Sequence, residues 1–275
     1  MLAAIRKCGG VLLGVPLVVL LPFGALLASG CSADEGIEGA SEETTTATDA
    51  PVVWNYVALG DSLAVGTGAS YEGYVDRYAD YLEADTGIRV NVINLGQNGL
   101  ASPELLFALR SDPSWRRAVG VADVLTVNIG LNDLGRAAET HENGTCGGAD
   151  NQDCLREAVE TVEDNWNAII AELLSLRSTN DAIIRAAGLG YTPYLDPEEA
   201  PGSGSSGELN NFQVFKPYLD KVNRQIATTA SVNSIPYAEV RLDRGQINQD
   251  GVHPNDEGYE VIAERLRQLG YNPLK

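Results

Sequence analysis

Apolar residues recur along this chain with two different periods, and the alternation between them sets the expected fold. Runs rich in Val, Ile and Leu occupy residues 52–59, 88–94, 122–129, 181–188 and 235–240, each about the length of a buried strand. Between the runs the apolar spacing lengthens to three and four. Tyr71, Tyr74, Tyr78 and Leu82 form one such stripe, and Val159, Val162, Trp166, Ile169 and Leu173 a second. Phe215, Tyr218, Val222 and Ile226 form a third; Tyr259, Ile262, Leu266 and Leu269 form a fourth, opened by the helix-start signal Pro254-Asn255. The stripes predict amphipathic helices whose apolar faces, Tyr71 included, lie in the core. Strands alternating with helices call for a parallel sheet covered on both faces and joined by right-handed crossovers. The expected class is α/β, a single domain over residues 52–275 without internal repeats.

Two stretches break the pattern. Residues 134–153 and 190–207 read as insertions, the second rich in Pro, Gly and Ser. Each follows a predicted strand, so each is expected at the sheet edge where strands end, a position in which long loops shape binding sites.

The first 51 residues carry no strand or amphipathic helix pattern. Arg6 and Lys7 precede an apolar run over residues 11–27, which marks residues 1–30 as a targeting segment. The run ends in Leu27-Ala28-Ser29-Gly30-Cys31, which resembles the lipobox of bacterial lipoproteins and departs from it in having Ala28 where Leu is usual. That resemblance implies cleavage before Cys31 and lipid on its thiol. The competing possibility is an uncleaved anchor helix, which Pro16 and Pro22 disfavour. In both cases Arg6 and Lys7 stay in the cytoplasm, and the domain is exported. Residues 31–51 are rich in Ser, Thr, Ala, Gly and Glu, a composition that buries too little surface to fold and reads as a disordered acidic tether.

Charge and cysteine content narrow the function. The chain holds 38 acidic and 19 basic residues, a net −19, without the clustered Lys and Arg that a phosphate backbone needs; a nucleic-acid partner is excluded. Setting aside Cys8 in the leader and Cys31 leaves Cys146 and Cys154, flanking a Gly-rich loop. In an exported domain they read as a disulfide, since neither has a second Cys or a His at zinc-ligand spacing.

The candidate chemistry begins at the end of the first predicted strand, with Gly60-Asp61-Ser62-Leu63. A serine just beyond a strand end stands where open α/β sheets bind ligands. The stretch 60–67 lacks the Lys of a phosphate-binding loop, and Ala64 replaces the second Gly of a Gly-x-Ser-x-Gly elbow. A serine hydroxyl needs a base to become a nucleophile. The chain offers only His141 and His253. His253 follows Asp250 by three residues, so a loop can close the carboxylate onto one imidazole nitrogen and leave the other for Ser62. His141 sits among Glu139, Thr140, Glu142 and Asn143 and reads as a solvated loop residue.

Three further blocks follow the first in order: Asn94-Leu95-Gly96-Gln97-Asn98-Gly99, Gly130-Leu131-Asn132-Asp133 and Asp250-Gly251-Val252-His253. Together the four resemble the SGNH subgroup of the GDSL esterase/lipase family over residues 52–269. The resemblance implies a three-layer α/β/α sandwich on a mostly parallel, five-stranded, flavodoxin-like sheet. It implies a serine ester hydrolase with Ser62, Asp250 and His253 as catalytic residues, working through an acyl-enzyme without cofactor or metal. It further implies an oxyanion hole made by the backbone N–H groups of Ser62 and the block-two Gly and by the side chain of Asn132. That Gly is expected to be Gly99, with Gly96 as the rival. A monomer acting on a small-molecule or lipid ester is expected. The family includes lipases, lysophospholipases, thioesterases and carbohydrate deacetylases, and no residue chooses among them. A surface binding protein that keeps the fold without catalysis is the other class, and the complete set of Ser62, Asp250 and His253 argues against it.

Overall fold

The computed structural model of the chain describes residues 52–190 and 206–274. The expected leader, Cys31, the tether and most of the 190–207 stretch lie outside the described residues.

The five expected strands are present as β1 (Val53–Gly60), β2 (Arg89–Asn94), β3 (Val124–Asn128), β4 (Ile183–Ala187) and β5 (Tyr237–Ala238). They form one sheet in the order β2-β1-β3-β4-β5, with every pair parallel. This is the flavodoxin-like order, which reverses direction between β1 and β3 and opens a crevice at their carboxyl ends. β5 is shorter than its apolar run, because only Tyr237 and Ala238 pair with β4. The residue before them is Pro236, which has no N–H to give a ladder and is tolerated at a sheet edge.

Side chains alternate across the sheet with period two. Val57, Leu59, Leu125, Val127, Ile184 and Ala186 point into one core, and Tyr56, Ala58, Val124 and Ile183 into the other. The first core is covered by α3 (Ser102–Ser111), α4 (Pro113–Gly120), α6 (Asp153–Leu176) and α7 (Ser206–Val232); the second by α2 (Tyr74–Thr86) and α8 (Asp256–Gln268). The result is the three-layer α/β/α sandwich. Trp166 of α6 is fully buried and its indole N–H donates to the Ile129 carbonyl at 3.0 Å, which holds α6 against the end of β3.

Two expectations are corrected here. Tyr71 is not a core residue; it is 83% exposed. α2 starts only at Tyr74, after the N-cap Gly73, and Ser70 is tied to Asp256 through its N–H at 2.9 Å and its hydroxyl, so the loop turns Tyr71 outward. The stretch 134–153 is not one loop. Its first half belongs to α5 (Leu131–Glu142), residues 143–152 are irregular, and Asp153 opens α6. Few large apolar residues occur along α5, so its helical period is faint. The predicted disulfide joins Cys146 to Cys154 with Cα atoms 4.9 Å apart.

Candidate active site

The last residue of β1, Gly60, is a glycine because nothing larger fits there: a Cβ would lie 2.5 Å from the Asn128 carbonyl oxygen of β3. Asp61 then caps the one-turn helix α1 (Ser62–Val65), its Oδ1 accepting the Leu63 N–H at 3.0 Å. Ser62 is therefore the first residue after the cap, 8% exposed and at the reversal point of the sheet.

His253 and Asp250 reach Ser62 from a turn before α8. Asp250 Oδ1 accepts the N–H groups of Val252 and His253 at 2.9 and 3.0 Å, while Oδ2 lies 2.7 Å from His253 Nδ1. A carboxylate only accepts, so Nδ1 carries the proton and Nε2 is left to accept from the Ser62 hydroxyl, 2.9 Å away. Burial raises the Asp250 pKa, but these hydrogen bonds outweigh it and hold the carboxyl below its ordinary range.

The turn is closed by the Asn248 N–H donating to the His253 carbonyl at 2.8 Å and by Asn248 Nδ2 donating to the carbonyls of Pro254 and Gly68, each at 2.9 Å. Gly68 comes so close that a Cβ there would lie 2.4 Å from Asn248 Nδ2 and 3.0 Å from His253 Cβ, and its φ is +95°. The sequence alone assigns no role to Asn248 or Gly68. The glycine after the first motif was visible, but its contact partner is 180 residues away.

The two rival glycines of block two separate cleanly. Gly96 packs: a Cβ would lie 2.8 Å from Ala64 Cβ, and its N–H donates to Asn94 Oδ1 at 2.9 Å. Gly99, with φ +75°, instead lines the cavity in front of Ser62. Its carbonyl accepts from Arg136 of α5 at 2.8 Å. Asn132 lines the same cavity from the start of α5, its Nδ2 donating to the Leu100 carbonyl at 2.9 Å and, more weakly, to Asp61 Oδ2 at 3.4 Å. Asp133, the last residue of block three, faces away; it accepts the Ser102 N–H and hydroxyl at 2.9 and 2.7 Å and so caps α3.

His141 stays outside the site, and it is not a solvated loop residue. It lies in the last turn of α5, half-buried, with Nδ1 donating to the Asn151 carbonyl at 2.6 Å and its ring edge-on to Phe215.

The model of the GDSL-like lipase/acylhydrolase family matches residues 56–266, which takes in all four blocks. The chain belongs to that family. It is an ester-hydrolysing enzyme of the GDSL type. Among its relatives is the spore germination lipase LipC of Bacillus licheniformis, 27% identical over 80% of this chain and 98% of that one. A lipase from a goat rumen metagenome, Lip_vut3, superposes with a TM-score of 0.67 at 26% identity, covering 81% of this chain and all of the other. The acetylxylan esterase Axe2 of Geobacillus stearothermophilus shares the fold at a TM-score of 0.56 and 17% identity, over 81% of this chain and 96% of its own.

Proposed function

We propose that this GDSL enzyme hydrolyses its ester through a covalent acyl-enzyme on Ser62, on the outer side of a membrane. The observation that carries the mechanism is the continuous relay from Ser62 Oγ through His253 to Asp250 at the mouth of a cavity. His253 Nε2 takes the hydroxyl proton as Ser62 Oγ attacks the acyl carbon, and then delivers it to the departing alkoxide. Water repeats the sequence and frees the acid. Asp250 holds the imidazole in the required tautomer and balances its charge when it is protonated. Negative charge on the carbonyl oxygen meets the N–H groups of Ser62 and Gly99 and the amide of Asn132. The long contact of Asn132 with Asp61 is the weaker of its two, so that N–H is the one to turn toward an oxyanion.

Ser62→Ala tests this directly. Turnover is expected to fall about a millionfold with the fold intact, and a fluorophosphonate probe to label Ser62 in the wild type and nothing in the variant. Labelling at another serine overturns the assignment.

Export and lipid attachment at Cys31 rest on the charged start, the apolar run and the lipobox-like end of residues 1–31. The Cys146–Cys154 disulfide supports the same location, because such bonds persist outside the reducing cytosol. Residues 31–51 then act as the tether between the lipid and the domain. Intact mass of membrane-extracted protein checks it: lipid on Cys31 with residues 1–30 gone is expected, and a lipid-free Met1 terminus refutes it.

A further inference from the structure

The cavity in front of Ser62 holds about 520 Å³ in all, and part of it extends as a cleft between α5 and α7. α5 supplies Leu131, Leu134, Gly135 and Ala138 to its lining, and α7 supplies Phe215 and Leu219. Asn132 and Glu142 of α5 also line it, and the small residues Gly135 and Ala138 leave a groove along the helix. From the relay the apolar lining runs on past Asn132. Asn132 to Ala138 covers about 9 Å of helix axis, and Asn132 to Glu142, the last residue of α5, about 15 Å.

The far wall is braced. Phe215 is buried with Ala137, Cys146 and Leu155, and the His141 ring stands edge-on to it with centroids 5.5 Å apart. The disulfide-closed loop after α5 therefore packs against Phe215 through Cys146.

We propose that this cleft receives the acyl group, and that the substrate is an ester of a medium-chain acid of about octanoyl size. The inference rests on Ser62 as nucleophile. With the carbonyl between Ser62 and Asn132, the leaving oxygen must face His253, so the acyl carbons are the ones directed along α5. An acetyl group leaves nearly all of the apolar lining bare. An octanoyl chain covers it, and each methylene removed from water favours binding about fourfold. A palmitoyl chain would run past Glu142, beyond the end of α5.

The test is the ratio of kcat/KM values of the full chain on p-nitrophenyl acetate, butyrate, octanoate and palmitate. A maximum at octanoate is expected, with at least a tenfold preference over acetate; a maximum at acetate or at palmitate overturns the proposal. Gly135→Leu adds bulk to the lining at a position where a Cβ meets no atom within 4 Å, and Leu favours the helix. It should lower the octanoate-to-acetate ratio at least tenfold, and Ala138→Leu should do the same by an independent route; a ratio unchanged in both folded variants refutes the cleft as acyl site. Ser62→Ala separates the two levels. If it hydrolyses as well as the wild type, the nucleophile assignment falls and the acyl site with it. If Ser62 is required yet acetate is preferred, the acyl site alone falls.

Discussion

Asp61 is the member of the first motif whose surroundings differ most from water. It is fully buried, and burial pushes its pKa from 3.8 up to about 6, against the Leu63 N–H and the charge of His253. A carboxyl whose folded pKa is raised prefers to fold protonated. Its contribution to stability is fully present below about pH 3.8 and is lost as pH rises through about 6. The difference is on the order of 3 kcal/mol. Asp61→Asn keeps an acceptor for Leu63 and removes the titration, so the variant's Tm should change less between pH 4 and pH 7 than that of the wild type. Parallel Tm profiles of the two proteins would show Asp61 is not the cause. Asn132 calls for a different measurement. As an oxyanion donor it acts mainly in the transition state, so Asn132→Ala should lower kcat about a hundred- to a thousandfold with KM little changed. Its bond to the Leu100 carbonyl also makes it a fastener, worth about 1 kcal/mol. A loss confined to Tm, with kcat per folded molecule preserved, removes Asn132 from the oxyanion hole.

At the scale of elements, the site depends on how closely two loops approach each other. Gly68 touches the 248–254 turn through a carbonyl and through the space its missing side chain leaves. Gly68→Ala places a Cβ against Asn248 and His253 and asks a non-glycine residue to hold a φ of +95°. The turn must shift, and a displacement of about 1 Å at a catalytic group can cost a hundredfold in rate. The expected result is a kcat at least tenfold lower in a folded protein with the same far-UV circular dichroism; an unchanged kcat means the turn is set without Gly68. The elements themselves were unevenly legible. All five strands and the cores of α2, α6, α7 and α8 follow from apolar period, because each turns most of its apolar residues toward a core. α3, α4 and α5 were not anticipated. They are short, and α5 presents Gly135 and Ala138 where a sequence pattern would need large residues, which is the same feature that opens the cleft.

For the whole molecule, closure of the sheet against the chain's end rests on a buried cation. Arg185 of β4 donates to the carbonyls of Gly270 and Asn272 at 2.7 and 3.2 Å, and burial depresses its pKa. Arg267 adds a two-pronged bond to Asp85, at 2.7 and 2.8 Å, that joins α8 to α2. Arg185→Ala removes charge-assisted bonds and leaves a cavity, so denaturant unfolding should show a loss of about 3 kcal/mol; a loss below about 1 kcal/mol would mean that packing alone holds the end. The sequence by itself determined the alternation of strands and helices, the serine at a strand end, and the Asp250–His253 pair, because each depends on residues near one another in the chain. A period of two or four, a Gly at a turn and a three-residue carboxylate–imidazole spacing are local physics. The tertiary structure alone decided that Ser62 and His253, 191 residues apart, come within a hydrogen bond. It also decided that Gly99 faces the cavity while Gly96 packs, that His141 is a brace, and which side of α5 lines the cleft. Those outcomes depend on distances between elements, and such distances follow from how layers pack and not from spacing along the chain.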